Sequence, residues 1–330
     1  MSSAKILYDW YLLNKRDLPW RVNQDPYRVM VSEIMLQQTR VEAVIPKYNA
    51  FIKQFPDLKS LALAKEQDVL IAWQGLGYYS RAKNLQKACK TIYRELENSF
   101  PKYYVNLIKL PGIGDYTASA VSSICFNEKR PVLDGNVIRI VSRIFKIDGD
   151  PKLSKVRQSL LERIQSSFFY DEDPSNYNQA MMELGALICV PKAPKCHICP
   201  ISHACKAFNT NSVDLFPVKP KKLIKEKVFL YFYLSSKDKQ IELSKETWKN
   251  YQSSYISPPF YESHVEQSDV DVLKGFGETK FAKKVCFSHS ITKYKIAVTV
   301  YAKSLEDIEL YRQEKLPKSG FLIKALKKFG

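Results

Sequence analysis

The sequence is poor in glycine, with 11 in 330 residues. It lacks both glycine-rich nucleotide fingerprints, GxxxxGK(S/T) and a GxGxxG after a strand, so neither a Walker-type loop nor a dinucleotide turn is expected. No run of about 18 apolar residues occurs, which excludes a membrane-spanning helix. The amino-terminal MSSAKILYDWYLLNKRDLPW breaks its apolar stretch with polar residues and shows no small-residue cleavage site. No secretory leader is read there, and a cytosolic setting is expected. Low-complexity tracts and fixed-period repeats are missing too. Acidic residues are the scarcer charge, 34 Asp and Glu against 51 Lys and Arg, for a net +17. That excess repels itself and suits a polyanion such as nucleic acid; a generally basic surface is the plain alternative.

What is present is enough for two domains, since 45% of the residues are hydrophobic. From about residue 5 to 205, apolar residues recur every three to four positions, as in DPYRVMVSEIMLQQTRV and QDVLIAWQGLGYYSRAKNLQKACKTIYREL. This is a helical pattern, with Pro19, Pro46, Pro56, Pro101 and Pro111 as helix stops or first-turn residues. Residues 206–226 are polar, hold two prolines and end in a lysine run, so they read as a linker. Beyond them, KVFLYFYL and YKIAVTVYA are aromatic and β-branched and predict strands, and FLIKALKKFG predicts a basic helix. The chain therefore divides into a helical region, 1–205, and a smaller α/β domain, 227–330.

Three motifs carry chemistry. LPGIGDYTASA, with Gly112 and Gly114, reads as helix, glycine hairpin, helix over about 103–126, Asp115 opening the second helix. Such a hairpin can bring amides at a helix N-terminus against a phosphate of a DNA strand, or it can be a plain turn between packed helices. Two carboxylates follow the same double logic. Asp134 in PVLDGNVIRIVSR is a helix N-cap on general grounds. Glu33, among Ile34, Met35 and Leu36, is either a buried acid with a raised pKa or a solvent-facing one. Four of the seven cysteines form CVPKAPKCHICPISHAC, spaced Cys189-x6-Cys196-x2-Cys199-x5-Cys205. Clustered thiols in a cytosolic chain favour metal over disulfides, and zinc and an iron–sulfur cluster both suit four thiolates.

Taken together, LPWR at 18–21, SEIMLQQTRV at 32–41, GLGYYSRAKNL at 75–85, the hairpin, VLDGNVIRIVSR at 132–143, NQAMMELGALIC at 178–189 and the cysteine run resemble the MutY-type adenine DNA glycosylases of the helix-hairpin-helix superfamily. The resemblance is close over about 8–206 and faint beyond. It implies a monofunctional enzyme of base excision repair that cleaves the N-glycosidic bond of adenine opposite 8-oxoguanine or guanine. It implies catalytic roles for Glu33 and Asp134, with Asn136 holding the site's hydrogen bonds and Tyr116 lining it. Trp20, Arg21, Leu36 and Gln179 match the adenine pocket, and Gln38 and Tyr78 match residues that wedge into the duplex. The cysteine spacing matches a 4Fe–4S cluster loop over 189–205 that is structural in the family, with Lys192 and Lys195 in its first loop. The implied partner is double-stranded DNA, and the expected state is a monomer in a bacterial-type cytoplasm, associated with the nucleoid.

In that family the C-terminal domain is Nudix-like and reads 8-oxoguanine. The glycines and paired glutamates of a Nudix hydrolase box are absent here, so no pyrophosphatase activity is expected. The family's tryptophan-glycine stretch ending in proline survives only as ETWKNYQSSYISPPF, 246–260, which holds no glycine. The family's Phe-Ser-His recognition loop has two registers in CFSHSITKYKI: Phe287, Ser288 and His289, or a register that places Thr292 at the serine and Lys293 at the histidine. The second puts YKIAV directly after the loop and is preferred. Two rival readings fit parts of the same pattern. An endonuclease III-like glycosylase-lyase would carry a lysine in the hairpin helix and lack the Glu33 motif. A non-catalytic iron–sulfur DNA-binding protein would need neither carboxylate.

Overall fold

A computed structural model describes residues 2–170, 172–218, 225–244, 257–291, 294–314 and 320–330. The chain forms two compact units, Met1–Ala64 with Ser80–Lys221, and Lys65–Tyr79 with Lys222–Gly330. Helices in chain order are α1 (Ser3–Asn14), α2 (Pro26–Leu36), α3 (Val41–Gln54), α4 (Leu58–Leu63), α5 (Glu66–Ala72), α6 (Ser80–Glu95), α7 (Tyr104–Leu107), α8 (Asp115–Phe126), α9 (Gly135–Phe145), α10 (Ser154–Ser167), α11 (Pro174–Leu187) and α12 (Lys206–Asn209). Of these, α5 belongs to the second unit.

Within the first unit, α8 is the buried axis. Thr117 to Ile124 are all buried, and α2 and α11 pack against it. Small side chains allow that approach, and the hydroxyls of Ser122 and Ser123 donate back to the carbonyls three residues earlier, at 3.3 Å each. Helix α2 is buried from Val29 to Met35, so any polar residue in that run goes inside with it. Its start is fixed by Asp25, whose Oδ1 accepts from the Arg28 amide at 2.8 Å, followed by Pro26 in the first turn. Its end is set from α6: Arg81 Nη1 donates to the carbonyls of Ile34, Met35 and Gln37 at 2.8, 3.1 and 2.7 Å. These are the orphan carbonyls of a helix terminus.

Both long helical readings are broken by turns. The first breaks between α2 and α3, where Gln38 is left-handed at φ +59°. The second breaks between α5 and α6, where Gly75, Gly77 and Tyr78 all have positive φ. Pro46 lies inside α3 rather than at a stop or in a first turn. In the stretch expected to link the domains, α12 buries Ala207 against α9, and Phe216 is buried as well.

The second unit holds β1 (Glu226–Leu234), β2 (Ser236–Lys237), β3 (Gln240–Ile241), β4 (Phe260–Ser263), α13 (Asp269–Gly275), β5 (Lys283–Ile291), β6 (Tyr294–Ala302), α14 (Leu305–Gln313) and α15 (Gly320–Lys328). The strands and terminal helix read from the sequence are β1, β6 and α15. A four-stranded sheet runs β4-β1-β6-β5, with β1 parallel to β6 and the other pairs antiparallel. Strand alternation sorts the side chains to two faces. Val228, Leu230 and Phe232 join Ile296 and Val298 beneath α14 and α15, while Phe229, Tyr231 and Tyr233 meet Val272 and Leu273 of α13. ETWKNYQSSYI, Thr292 and Lys293 lie outside the described residues.

Candidate active site

Nine of the sequence-predicted site residues line one cavity of about 970 Å³ in the first unit: Trp20, Arg21, Glu33, Leu36, Gln38, Tyr116, Asp134, Asn136 and Gln179. Glu33 reaches it from α2 and is 5% exposed. Burial raises its carboxyl from 4.5 to about 7; the Tyr116 hydrogen bond and the Arg21 charge pull the other way, and Asp134 adds to the rise. The Tyr116 hydroxyl, on α8, donates to Glu33 Oε2. Burial and the nearby carboxylates push that phenol well above its usual range.

Asp134 is the N-cap of α9, as the general rule for such an aspartate anticipates, and it also faces the cavity. Its Oδ1 accepts from the Val137 amide at 2.7 Å and its Oδ2 from Asn136 Nδ2 at 3.1 Å. Burial raises its pKa, while those two bonds and Arg139 favour the anion. Arg139 ties this corner down. Its guanidinium donates to Asn136 Oδ1 and the Gly185 carbonyl at 2.8 Å each, and to the Cys189 carbonyl at 2.7 Å. Gly185 is required there, because a Cβ would lie 2.5 Å from that of Asn136.

Another part of the pocket wall rests on an ion-pair network of which sequence reasoning found only Arg21. Glu183 on α11 has no exposed surface. Arg16 binds it through Nε at 2.7 Å and Nη2 at 3.0 Å, and Arg21 Nη2 donates to it at 2.9 Å. Burial would raise Glu183, but the two arginines bring it down to about 2. Arg21 is thereby held with its guanidinium over the Tyr11 ring, 5.5 Å from the centroid, and the Tyr11 hydroxyl donates to Gln179 Oε1 at 3.2 Å. Trp20 packs edge-on against Tyr48 at 5.4 Å. Glu183 lies within NQAMMELGALIC, where an acid flanked by apolar residues is the one available signal.

The other sequence-predicted residues lie elsewhere. Gly112 (φ +71°) and Gly114 form the hairpin before α8. Only Gly112 needs to be glycine: a Cβ there would lie 2.3 Å from Asn84 Cβ, whereas at Gly114 it would meet open space. Tyr78, 54% exposed, is in the second unit. Ser288 and His289 sit within β5 rather than in a loop, paired with Ala297 and Ile296. Alternation leaves Ser288 exposed and turns His289 against Phe321, ring centroids 5.0 Å apart. The alternative register at Thr292 lies outside the described residues.

Cys189, Cys196, Cys199 and Cys205 face one small cavity of about 30 Å³, walled by Ile188, Phe208 and Val213. Arg143 Nη1 donates to Cys189 Sγ at 3.3 Å and to the Val190 carbonyl at 2.9 Å. Among the described residues, no three His, Cys, Asp or Glu side chains converge on a point that would hold a single ion. Four thiols around a shared space, with a guanidinium beside one sulfur, are a donor set that suits either zinc or an iron–sulfur cluster. Among the described residues no helix is long and apolar enough to cross a membrane.

A helical unit built around a glycine hairpin, with paired acids in one cavity, defines the class: the model of the HhH-GPD superfamily base excision DNA repair proteins matches residues 31–166. The chain is 39% identical over 252 residues to the adenine DNA glycosylase of Buchnera aphidicola subsp. Schizaphis graminum, covering 75% of this chain and 72% of that one. It therefore belongs to the adenine DNA glycosylase family. The human adenine DNA glycosylase is 41% identical over 210 residues, 61% of this chain and 38% of the human protein. A thermostable thymine-DNA glycosylase shares the fold at TM-score 0.57 and 24% identity, covering 63% of this chain and 95% of that one. An endonuclease III bound non-covalently to DNA does so at TM-score 0.53 and 20% identity, with 64% and 98% covered.

Proposed function

We propose that this chain is a monofunctional DNA glycosylase of base excision repair that removes adenine mispaired with 8-oxoguanine or guanine. The observation that carries the reading is the pairing of a buried Glu33 and the N-capping Asp134 in one cavity, with Tyr116, not a lysine, beside them. Two carboxylates in different surroundings can divide the work of glycoside hydrolysis. Glu33, pushed up to about 7 by burial, still holds its proton in about half of the molecules at neutral pH and gives it to adenine N7 as the C1′–N9 bond breaks. Asp134, held by two hydrogen bonds, sets its negative charge beside the oxocarbenium ion or bonds to C1′. Water then adds at C1′, displacing the Asp134 carboxylate where that bond has formed, and its proton returns to the Glu33 carboxylate, leaving an intact abasic strand. Asn136 and Arg139 keep Asp134 in register, and Glu183 keeps Arg21 on the pocket wall.

The partner is double-stranded DNA. The hairpin at Gly112 and Gly114 holds its backbone, and Trp20, Leu36 and Gln179 receive the flipped adenine. Gln38 and Tyr78 fill the gap left in the stack; left-handed backbone at both, φ +59° and +44°, is the kind of strain that collects at functional sites. Cys189, Cys196, Cys199 and Cys205 hold a 4Fe–4S cluster that stiffens the loop carrying Lys192 and Lys195. The layout is a catalytic region over 1–205, a linker and a Nudix-like domain over 227–330, which reads the opposite base through Ser288, His289 or Thr292. The protein acts as a monomer in the cytoplasm at the nucleoid. The test is single-turnover adenine release from duplexes with adenine opposite 8-oxoguanine, guanine or thymine. Release in that descending order is expected; equal rates on all three would sink the mispair reading.

A further inference from the structure

The catalytic aspartate ends an irregular segment that runs from α8 to α9. Residues 127–134 belong to no helix or sheet; the amides of Asn127, Glu128 and Arg130 bond the carbonyls of Ser123, Ser122 and Glu128, but the Val132 amide and the Arg130 carbonyl turn to a side chain. Asn178 on α11, 1% exposed, serves both. Its Oδ1 accepts from the Val132 amide at 3.1 Å and its Nδ2 donates to the Arg130 carbonyl at 2.9 Å. A single side-chain amide thus pairs with the backbone as a neighbouring strand would, two residues before Asp134. The side chain of Arg130 fastens the same segment to the hairpin. Its guanidinium lies over the Tyr104 ring, 3.3 Å from the centroid, and its Nε donates to Ser119 Oγ at 3.0 Å. Its Nη2 lies 3.8 Å from Asp115 Oδ1, which also accepts from the Tyr104 hydroxyl at 2.8 Å.

We propose that Asn178 is a positioning residue for Asp134, and that the strap of residues 130–134 carries the hairpin's hold on the DNA backbone to that carboxylate. Asn178 touches no reacting atom. It fixes the height and register at which α9 begins, and Val132 and Leu133, both buried, keep the strap from sliding. Because Asp115 is held by Tyr104 and Arg130, its carboxylate stays engaged at the base of the hairpin and leaves the amides of the first turn of α8 to a phosphate. The inference rests on Asp134 and Glu33 acting on adenine as set out above.

The test uses the full chain with two substitutions. Asn178→Leu removes both bonds to the strap at similar volume; Arg130→Met frees the strap from the hairpin without entering the core. Displacement of a catalytic group by about 1 Å can cost about a hundredfold in rate. Asn178→Leu is therefore expected to slow single-turnover adenine release by about that factor, and Arg130→Met by about tenfold. The Kd for a duplex carrying an abasic product should stay within about threefold in both, since phosphate contacts supply most of it. A purely packing role would lower thermal stability without separating rate from affinity. If Asn178→Leu does not fold, Arg130→Met alone decides, and release at the parent's rate overturns the proposal. A parent chain that releases no adenine would instead overturn the catalytic reading beneath it.

Discussion

Glu33→Gln should have opposite effects on activity and on stability, and the second effect should depend on pH. In the parent, burial lifts the carboxyl from 4.5 to about 7. A rise of that size is worth about 3 kcal/mol between the two protonation states. The sign follows from linkage. A carboxyl with a raised folded-state pKa binds its proton more tightly in the native protein, so its contribution is fully present below 4.5 and is lost as pH rises through about 7. Glutamine has the same shape, accepts the Tyr116 hydroxyl and never ionises. Chemical denaturation of parent and variant at about pH 5 and about pH 8.5 should therefore show the variant gaining, relative to the parent, about 2–3 kcal/mol between the two conditions. Adenine release should fall by about a thousandfold or more in the variant, the loss of a general acid. In the parent, release should decline about tenfold per pH unit above 7 as the proton is lost. A stability difference that stays flat from pH 5 to 8.5, or a parent rate still climbing beyond pH 8, would refute the assignment of a buried, proton-bearing Glu33.

Further outcomes follow from other parts of the site. Asp134→Asn should lose at least about a thousandfold in single-turnover excision while binding duplex within a few-fold of the parent, because charge beside the cation is removed and phosphate contacts remain; filter binding and quenched-time kinetics report the two. Gly112→Ala should destabilise the first unit by about 3 kcal/mol, since a Cβ would lie 2.3 Å from Asn84 Cβ at a left-handed φ of +71°, and an unchanged midpoint in urea would contradict that geometry. Anaerobically purified protein should be yellow-brown with about four irons per chain, and zinc in their place would show that the thiols hold a single ion instead.

Much of this site was legible because its residues sit in short ordered motifs, although the helical period around them left open where they face. Glu33 is flanked by Ile34, Met35 and Leu36 on a helix with little polar surface, so burial was one of only two outcomes. Asp134 shows why a general rule and a special role need not compete: the same carboxylate caps α9 and faces the cavity. What stayed hidden depends on partners far apart in the chain. Glu183 lies 167 residues from Arg16, and Asn178 lies 46 residues from Val132, and no local spacing encodes either meeting. The hairpin was read from its two glycines together, yet only Gly112 has a backbone and a neighbour that demand one. In the second unit, alternation gave β6 directly, but the Phe-Ser-His segment alternates equally well and became strand β5 instead of a loop.

The central claim is that adenine leaves by acid-assisted hydrolysis without a lysine nucleophile. A phenol with a pKa near 10 or above forms no imine, so Tyr116 cannot replace the amine of a lyase. The most direct measurement reacts the chain with a duplex holding adenine opposite 8-oxoguanine, with and without borohydride, and follows free adenine, strand scission and covalent complex in the same samples. Adenine should appear with the strand intact until alkali is added, and borohydride should trap no lysine adduct. Strand breaks rising as fast as adenine, efficient trapping through a lysine, or no adenine at all would contradict the account.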